Sequence, residues 1–352
     1  MSAGTLLIRA DASIEMGTGH VMRCLALAQA WQDAGGDVIF CQTQSTLLLD
    51  HSLRSEGIVV VPLAVRAGTQ EDAIQTIEVA HACNAQWLVV DGYHFSTGYQ
   101  KYLRDHGVKV LFIDDTGVCD RYSADLVVNQ NIDASESFYP QCESGQLLLG
   151  PQYILLRRQF SSWKNWKRNT GPTVRRVLVT MGGSDPHNLT EMVIGALPPL
   201  NLEVIAVVGA SNPHLDSLLK ARSQLASNIE FRTNVSEMAD LMAWADIAVS
   251  AGGGTCYELI FFQVPTILIT GVDNQATVCR SLGESRIAID AGWFHVLDIQ
   301  QLAKSVQELV LDGELRRTLI ENCRHLVDGK GAERVVDKML SACGISAVKL
   351  PA

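Results

Sequence analysis

Short apolar runs alternate with helical patterns along almost the whole chain, and they do so in two successive sets. In the first half the runs lie at 5–8, 37–41, 58–61, 87–90, 108–113 and 125–128. They are short and continuous, as strands buried on both faces of a parallel sheet must be. Helical patterns at 19–34, 45–55, 69–83 and 97–106 separate them, and Gly35-Gly36, Gly57 and Gly107 stop three of these. The alternation restarts with strands at 176–181, 203–208, 229–231, 246–250, 266–270 and 286–289. Helices are expected between them at 188–197, 214–225, 235–244, 255–263 and 274–283, and long helical patterns at 298–312, 314–328 and 331–342 follow. Repeated strand–helix–strand units specify an α/β fold with two Rossmann-like, doubly wound parallel sheets. The expected division is 1–150 for the first domain, 151–172 for a linker and 173–330 for the second domain. A C-terminal helix within 331–352 is expected to cross back to the first domain.

The bulk properties narrow the chemistry. The 352 residues suffice for two ordinary domains, and a hydrophobic share of 47% against 19% charged is that of a core-forming chain. A formal net charge of −10 excludes a nucleic-acid backbone as partner for the chain as a whole. No apolar run reaches membrane-spanning length, and the first residues show no signal-peptide pattern. Nine cysteines, none in a Cys-x-x-Cys spacing, point to reduced thiols in a cytoplasm, with neither a disulfide framework nor a zinc site. No metal and no organic cofactor is expected, and nothing demands more than a monomer.

Ligands of doubly wound sheets bind beyond the carboxyl ends of the strands. The first such end is the turn Arg9-Ala10-Asp11-Ala12-Ser13-Ile14-Glu15-Met16-Gly17-Thr18-Gly19-His20. Gly17 and Gly19 allow a tight turn close to a ligand, and the helix start offers unpaired N–H groups to an anion. At that positive end His20 tends to stay neutral and able to accept a proton. Met22 stands where Gly-x-Gly-x-x-Gly needs its last glycine, so a dinucleotide fingerprint is absent. Asp91-Gly92-Tyr93, Asp114-Asp115 and Asn129-Gln130-Asn131 end the fourth, fifth and sixth strands. Helix capping and turn formation explain Asp114, Asp115 and Asn129 as well as ligand binding does. Tyr93, a hydroxyl just past a strand end, is able to reach a water or a sugar. Arg157 stands where a phosphate contact would be useful, whereas Trp163-Lys164-Asn165-Trp166-Lys167-Arg168 reads as a solvated linker.

Two turns of the second half suit a diphosphate. Gly182-Gly183-Ser184 follows a strand and is expected to open a helix, with Gly183 and Ser184 as donors. Ser250-Ala251-Gly252-Gly253-Gly254-Thr255 does the same, and three successive glycines are more than packing requires. One helical turn past Thr255, Glu258 can accept from the hydroxyls of a ribose, and Asn274-Gln275 adds amides at the same edge. No lysine follows a glycine loop as in a P-loop.

The stretch Ser250 to Glu258 is similar to the uridine-diphosphate site of MurG-type transferases, which have the GT-B architecture of two Rossmann-like domains facing across a cleft. A wider set of motifs is closer to one family. It comprises Gly17-Thr18-Gly19-His20-Val21-Met22-Arg23-Cys24, Val89-Val90-Asp91-Gly92-Tyr93, Ile113-Asp114-Asp115, Val128-Asn129-Gln130-Asn131, Gly150-Pro151-Gln152-Tyr153 and Val179-Thr180-Met181-Gly182-Gly183-Ser184-Asp185-Pro186. With Gly329-Lys330-Gly331-Ala332 they resemble, in order over nearly the whole chain, the UDP-sugar hydrolases of pseudaminic acid biosynthesis. The resemblance implies release of UDP by water from UDP-2,4-diacetamido-2,4,6-trideoxy-β-L-altropyranose, with His20 as base and Tyr93 ordering the water. It implies UDP binding by the glycine turns, Thr255, Glu258, Asn274 and Gln275. The alternatives are a GT-B glycosyltransferase with an acceptor hydroxyl in place of water, a hydrolase of a related UDP-diacetamido sugar, and a non-catalytic nucleotide-sugar-binding subunit.

Overall fold

The computed structural model describes residues 3–344 apart from 14–16, 118, 143–144, 170, 199, 210 and 222–227. The chain forms two compact units. One takes the residues up to Ser13, His20–Arg158 and the stretch from Gly329; the other takes Gln159–Asp328 and the short stretch ending at Gly19.

The first unit is built on seven parallel strands. They are β1 (Thr5–Ala10), β2 (Asp37–Gln42), β3 (Val59–Pro62), β4 (Ala85–Asp91), β5 (Lys109–Ile113), β6 (Leu126–Asn129) and β7 (Gln146–Leu149), in the order β3-β2-β1-β4-β5-β6-β7. Helices α1 (Gly19–Asp33), α2 (Leu47–Ser55), α3 (Gln70–Ala82) and α4 (Thr97–Asp105) lie between them. Alternate strand residues feed two cores. Leu6, Ile8, Trp87 and Val89 pack on one face with Leu27 and Trp31 of α1. Leu7, Leu88, Val90 and Val110 pack on the other with Ile77 of α3 and Leu103 of α4. Burial of both faces is why these strands read as unbroken apolar runs. Strand β7 escapes the sequence reading because its three leucines are too few for a period and only Leu148 is fully buried.

The second unit holds β8 (Arg176–Thr180), β9 (Glu203–Val208), β10 (Ile229–Thr233), β11 (Ile247–Ala251), β12 (Thr266–Thr270) and β13 (Ile289–Trp293), all parallel, in the order β10-β9-β8-β11-β12-β13. Its helices are α5 (Leu189–Ala196), α6 (Leu215–Ala221), α7 (Met238–Trp244), α8 (Gly254–Phe261), α9 (Asp273–Glu284), α10 (Ile299–Leu311) and α11 (Gly313–Cys323). The helix expected over 214–225 runs past α6 onto residues outside the described ones. The strand expected at 286–289 begins only at Ile289. Arg286 has a left-handed φ of 51°, and the Ile287 N–H bonds the Leu282 carbonyl at 2.9 Å, so 286–288 closes helix α9.

One further stretch departs from expectation. Residues 163–168 are not a solvated linker. Trp163 and Trp166 meet Phe262 edge to face with centroids 5.3 and 5.9 Å apart. Arg168 donates to the carbonyls of Met242, Ala245 and Phe262 at 2.7, 2.5 and 2.9 Å. These carbonyls lie where α7 and α8 end, and a guanidinium satisfies them where no further N–H is available. The helix α12 (Gly331–Ala342) inserts Val335, Val336, Met339 and Leu340 into the first unit's core, and the Trp87 indole N–H donates to the Met339 carbonyl at 3.1 Å. Among the described residues no helix is long and apolar enough to cross a membrane.

Candidate active site

The order of the first sheet reverses between β1 and β4, the point where doubly wound sheets bind ligands. Helix α1 leaves β1 there, and His20 is its second residue, 6% exposed. The His20 Nε2 is 3.9 Å from Asp91 Oδ1, beyond hydrogen-bond reach, and its buried Nδ1 has no hydrogen-bond partner among the described residues. Burial is the largest influence on its pKa and pushes it below the ordinary imidazole value; Asp91 pulls it up and Arg23 pushes it down. The Tyr93 ring stands edge-on to the imidazole, and its hydroxyl donates to Asp115 Oδ2 at 2.8 Å.

Arg23 ties this group together. Its Nε and Nη2 donate to the two oxygens of Asp91, and its Nη1 donates to Asp115 Oδ1, all at 2.6 Å. Burial alone would raise the Asp115 carboxyl, but the Arg23 guanidinium offsets it and holds the group below its ordinary value. Asn131 braces the same loop by donating to the Asp115 carbonyl at 3.2 Å. The sequence reading did not join Arg23, Asp91 and Asp115. A signal was present: Arg23 lies three residues past His20, on the same helix face, and two strand ends offer carboxylates that need a cation.

Other polar residues of this edge are engaged by the protein. Asp11 accepts from the Thr43 and Gln44 N–H groups at 2.7 and 3.1 Å and pairs with Arg9 at 2.8 Å, tying the end of β1 to the end of β2. Asp114 accepts from the Gly117 N–H and the Tyr122 hydroxyl at 2.9 and 2.7 Å, and so closes its own turn. Asn129 donates to the Tyr139 hydroxyl at 2.9 Å. Arg157 is half-buried in a segment fixed by the Gln130 side chain, whose oxygen accepts from the Leu155 N–H at 2.9 Å.

In the second unit, Gly17 and Thr18 belong with the turn after β8. A Cβ on Gly183 would collide with the Thr18 side chain, and one on Gly17 would stand 3.7 Å from the Ser184 hydroxyl. No helix opens at Ser184. Helix α5 begins at Leu189, and Asp185 accepts the Leu189 and Thr190 N–H groups at 2.7 and 3.0 Å. Its first donors are thus filled by a side chain, leaving the turn itself to meet an anion.

The turn after β11 leads directly into α8, whose cap residue Gly253 has no side chain to bond the first N–H groups. The three glycines divide by purpose. A side chain at Gly252 would occupy the place of the Cys279 sulfur, so that glycine lets α9 approach. Gly254 faces open space, with nothing within 4 Å of the Cβ position. Thr255 and Glu258 stand one turn apart on α8, both half-buried. The Gln275 side-chain oxygen accepts from the Gly271 N–H at 2.9 Å, and its amide nitrogen lies beside Gly253; Asn274 precedes it in the first turn of α9.

Two parallel doubly wound units with these turns define the GT-B class of fold. The MurG of Acinetobacter baumannii superposes with a TM-score of 0.66 at 15% identity, covering 96% of this chain and 99% of that one. Residues 176–325 match the glycosyltransferase family 28 C-terminal domain. The resemblance drawn from the motifs holds at the level of whole sequences. A Campylobacter jejuni protein named UDP-2,4-diacetamido-2,4,6-trideoxy-beta-L-altropyranose hydrolase is 26% identical over 291 residues, which is 81% of this chain and 98% of that protein. An uncharacterized protein of Methanocaldococcus jannaschii is 25% identical over 75% of this chain, and the matched part spans 55% of that relative's length.

Proposed function

We propose that this protein is a UDP-sugar hydrolase that releases UDP from UDP-2,4-diacetamido-2,4,6-trideoxy-β-L-altropyranose or a closely related UDP-diacetamido sugar. The observation that carries the reading is the buried His20 imidazole, its pKa lowered by burial, beside Tyr93 and with its Nδ1 unpartnered among the described residues. The name of the C. jejuni relative supplies the substrate.

In this reading a water gives its proton to His20 as its oxygen bonds to the anomeric carbon. The bond from that carbon to the diphosphate oxygen breaks, and the electron pair leaves with UDP. The products are the free sugar and UDP. Tyr93 orders the water. Gly183, Ser184, Gly253, Gly254 and Thr255 donate to the diphosphate, Arg157 adds a cation, Glu258 accepts from the ribose, and Asn274 and Gln275 complete the nucleotide contacts. Asp11, Gly17 and Gly19 shape the opening turn. A glycosyl diphosphate already carries a good leaving group, so a placed water, a base and fixed donors suffice.

Incubation with that sugar nucleotide, without acceptor and with a chelator, tests the reading by the release of UDP. The family 28 match favours a second reading, a glycosyltransferase on the same scaffold. Tight UDP binding with no release would select it or a hydrolase for another diacetamido sugar.

A further inference from the structure

The Arg23 guanidinium touches both carboxylates around His20. We propose that Arg23 is a positioning residue that keeps the His20 imidazole neutral and locks Tyr93 in place, by spanning Asp91 and Asp115 in a single clamp. This deepens the hydrolase reading and rests on it.

The geometry is specific. All three of its contacts are at 2.6 Å, with two nitrogens on Asp91 at the end of β4 and the third on Asp115 after β5. A planar fork reaches two carboxylates in this way; an ammonium does not. Among the described residues the groups facing His20 are Arg23 on its own helix, Asp91 from β4, Tyr93 and His94 from the loop after β4, and Asp115 from the loop after β5. The Cys24 thiol also reaches Asp91, at 3.4 Å, and burial pushes its pKa up, so it adds no charge. One permanent cation offsets one of the two carboxylates and so halves the negative charge that faces the imidazole. Without Arg23 both would favour an imidazolium, and a protonated His20 cannot accept from water. Asp115, fixed by Arg23, is also the acceptor that holds the Tyr93 hydroxyl.

The test is an NMR titration of the His20 ring in ligand-free, histidine-labelled protein, with the signal assigned by its loss in His20→Gln. Arg23→Gln is expected to raise the His20 midpoint by about 1–3 pH units. The acid limb of kcat/KM should move up equally, with activity recovering above the new midpoint. Asp115→Asn removes an anion and is expected to move the midpoint down. A merely structural role does not predict opposite signs. If Arg23→Gln does not fold, the fall in Asp115→Asn decides. Midpoints that stay at the wild-type value in the folded variants would overturn the proposal while leaving hydrolysis intact. Shifted midpoints in a protein that never releases UDP would overturn the hydrolase reading instead.

Discussion

The rings of His20 and Tyr93 meet edge to face, with centroids 4.9 Å apart and planes inclined by 75°. The contact leaves the Tyr93 hydroxyl directed at Asp115, not at the imidazole. The two side chains therefore have separable parts, one in proton transfer and one in holding water.

His20→Gln keeps a side chain of similar reach but cannot take a proton from water. A general base contributes roughly 10²–10⁴-fold, so kcat should fall by that range. UDP affinity, measured by calorimetry, should be unchanged, because His20 is not among the groups assigned to the nucleotide. Activity within about tenfold of wild type would remove His20 from the role of base.

Tyr93→Phe retains the edge contact and loses the bond to Asp115. A hydrogen bond to a charged acceptor contributes about 1.5–3 kcal/mol, so kcat should drop at least about tenfold with little change in KM. The Tyr93 side chain is 42% exposed, and the thermal midpoint of unfolding should hold.

The pH profile carries a sign. Burial lowers the His20 pKa, and the base acts in its neutral form, so activity is present above that pKa and lost as pH falls through it. The acid limb of kcat/KM should lie below about 6.5, the ordinary histidine value. A limb on the alkaline side of neutrality would contradict a buried neutral imidazole.

The glycine loop after β11 offers a paired comparison. Gly252→Ala forces a methyl into the place of the Cys279 sulfur and should lower the unfolding midpoint. Gly254→Ala meets no atom, and alanine favours a helix by about 0.5–1 kcal/mol over glycine. That variant should fold at least as stably and yet bind UDP more weakly, because its methyl lies on the face assigned to the diphosphate.

The helix start at α5 is a matter of stability. Asp185→Ala removes the acceptor of the Leu189 and Thr190 N–H groups and should destabilise by about 1 kcal/mol, as read in urea unfolding.

What could be read from the sequence follows from where each signal is written. Both sheets were legible because strands buried on both faces stand out as apolar runs between glycine-stopped helices. The turn of Gly17, Gly19 and His20 was legible because it is local. The Arg23 clamp was not, for Arg23 lies 68 residues from Asp91 and 92 from Asp115, and the adjacency of β1 to β4 and of β4 to β5 brings them together. The packing role of Gly252 was not legible because its neighbour, Cys279, belongs to a different helix. The helix expected at 188–197 is α5, but the Gly182-Gly183-Ser184 turn does not open it, because Asp185 caps it from four residues back, behind an Asn188 with a left-handed φ of 53°.

Helix α12 has a consequence for the order of events at the ribosome. The sheet formed by β1 to β7 is synthesised long before the helix that closes its Trp87 face, since all of Gln159–Asp328 intervenes. The nascent first unit thus emerges with an open apolar side while the second unit can complete itself without interruption. Maturation runs out of sequence: the later-made half is finished first, and the earlier-made half waits for its cover.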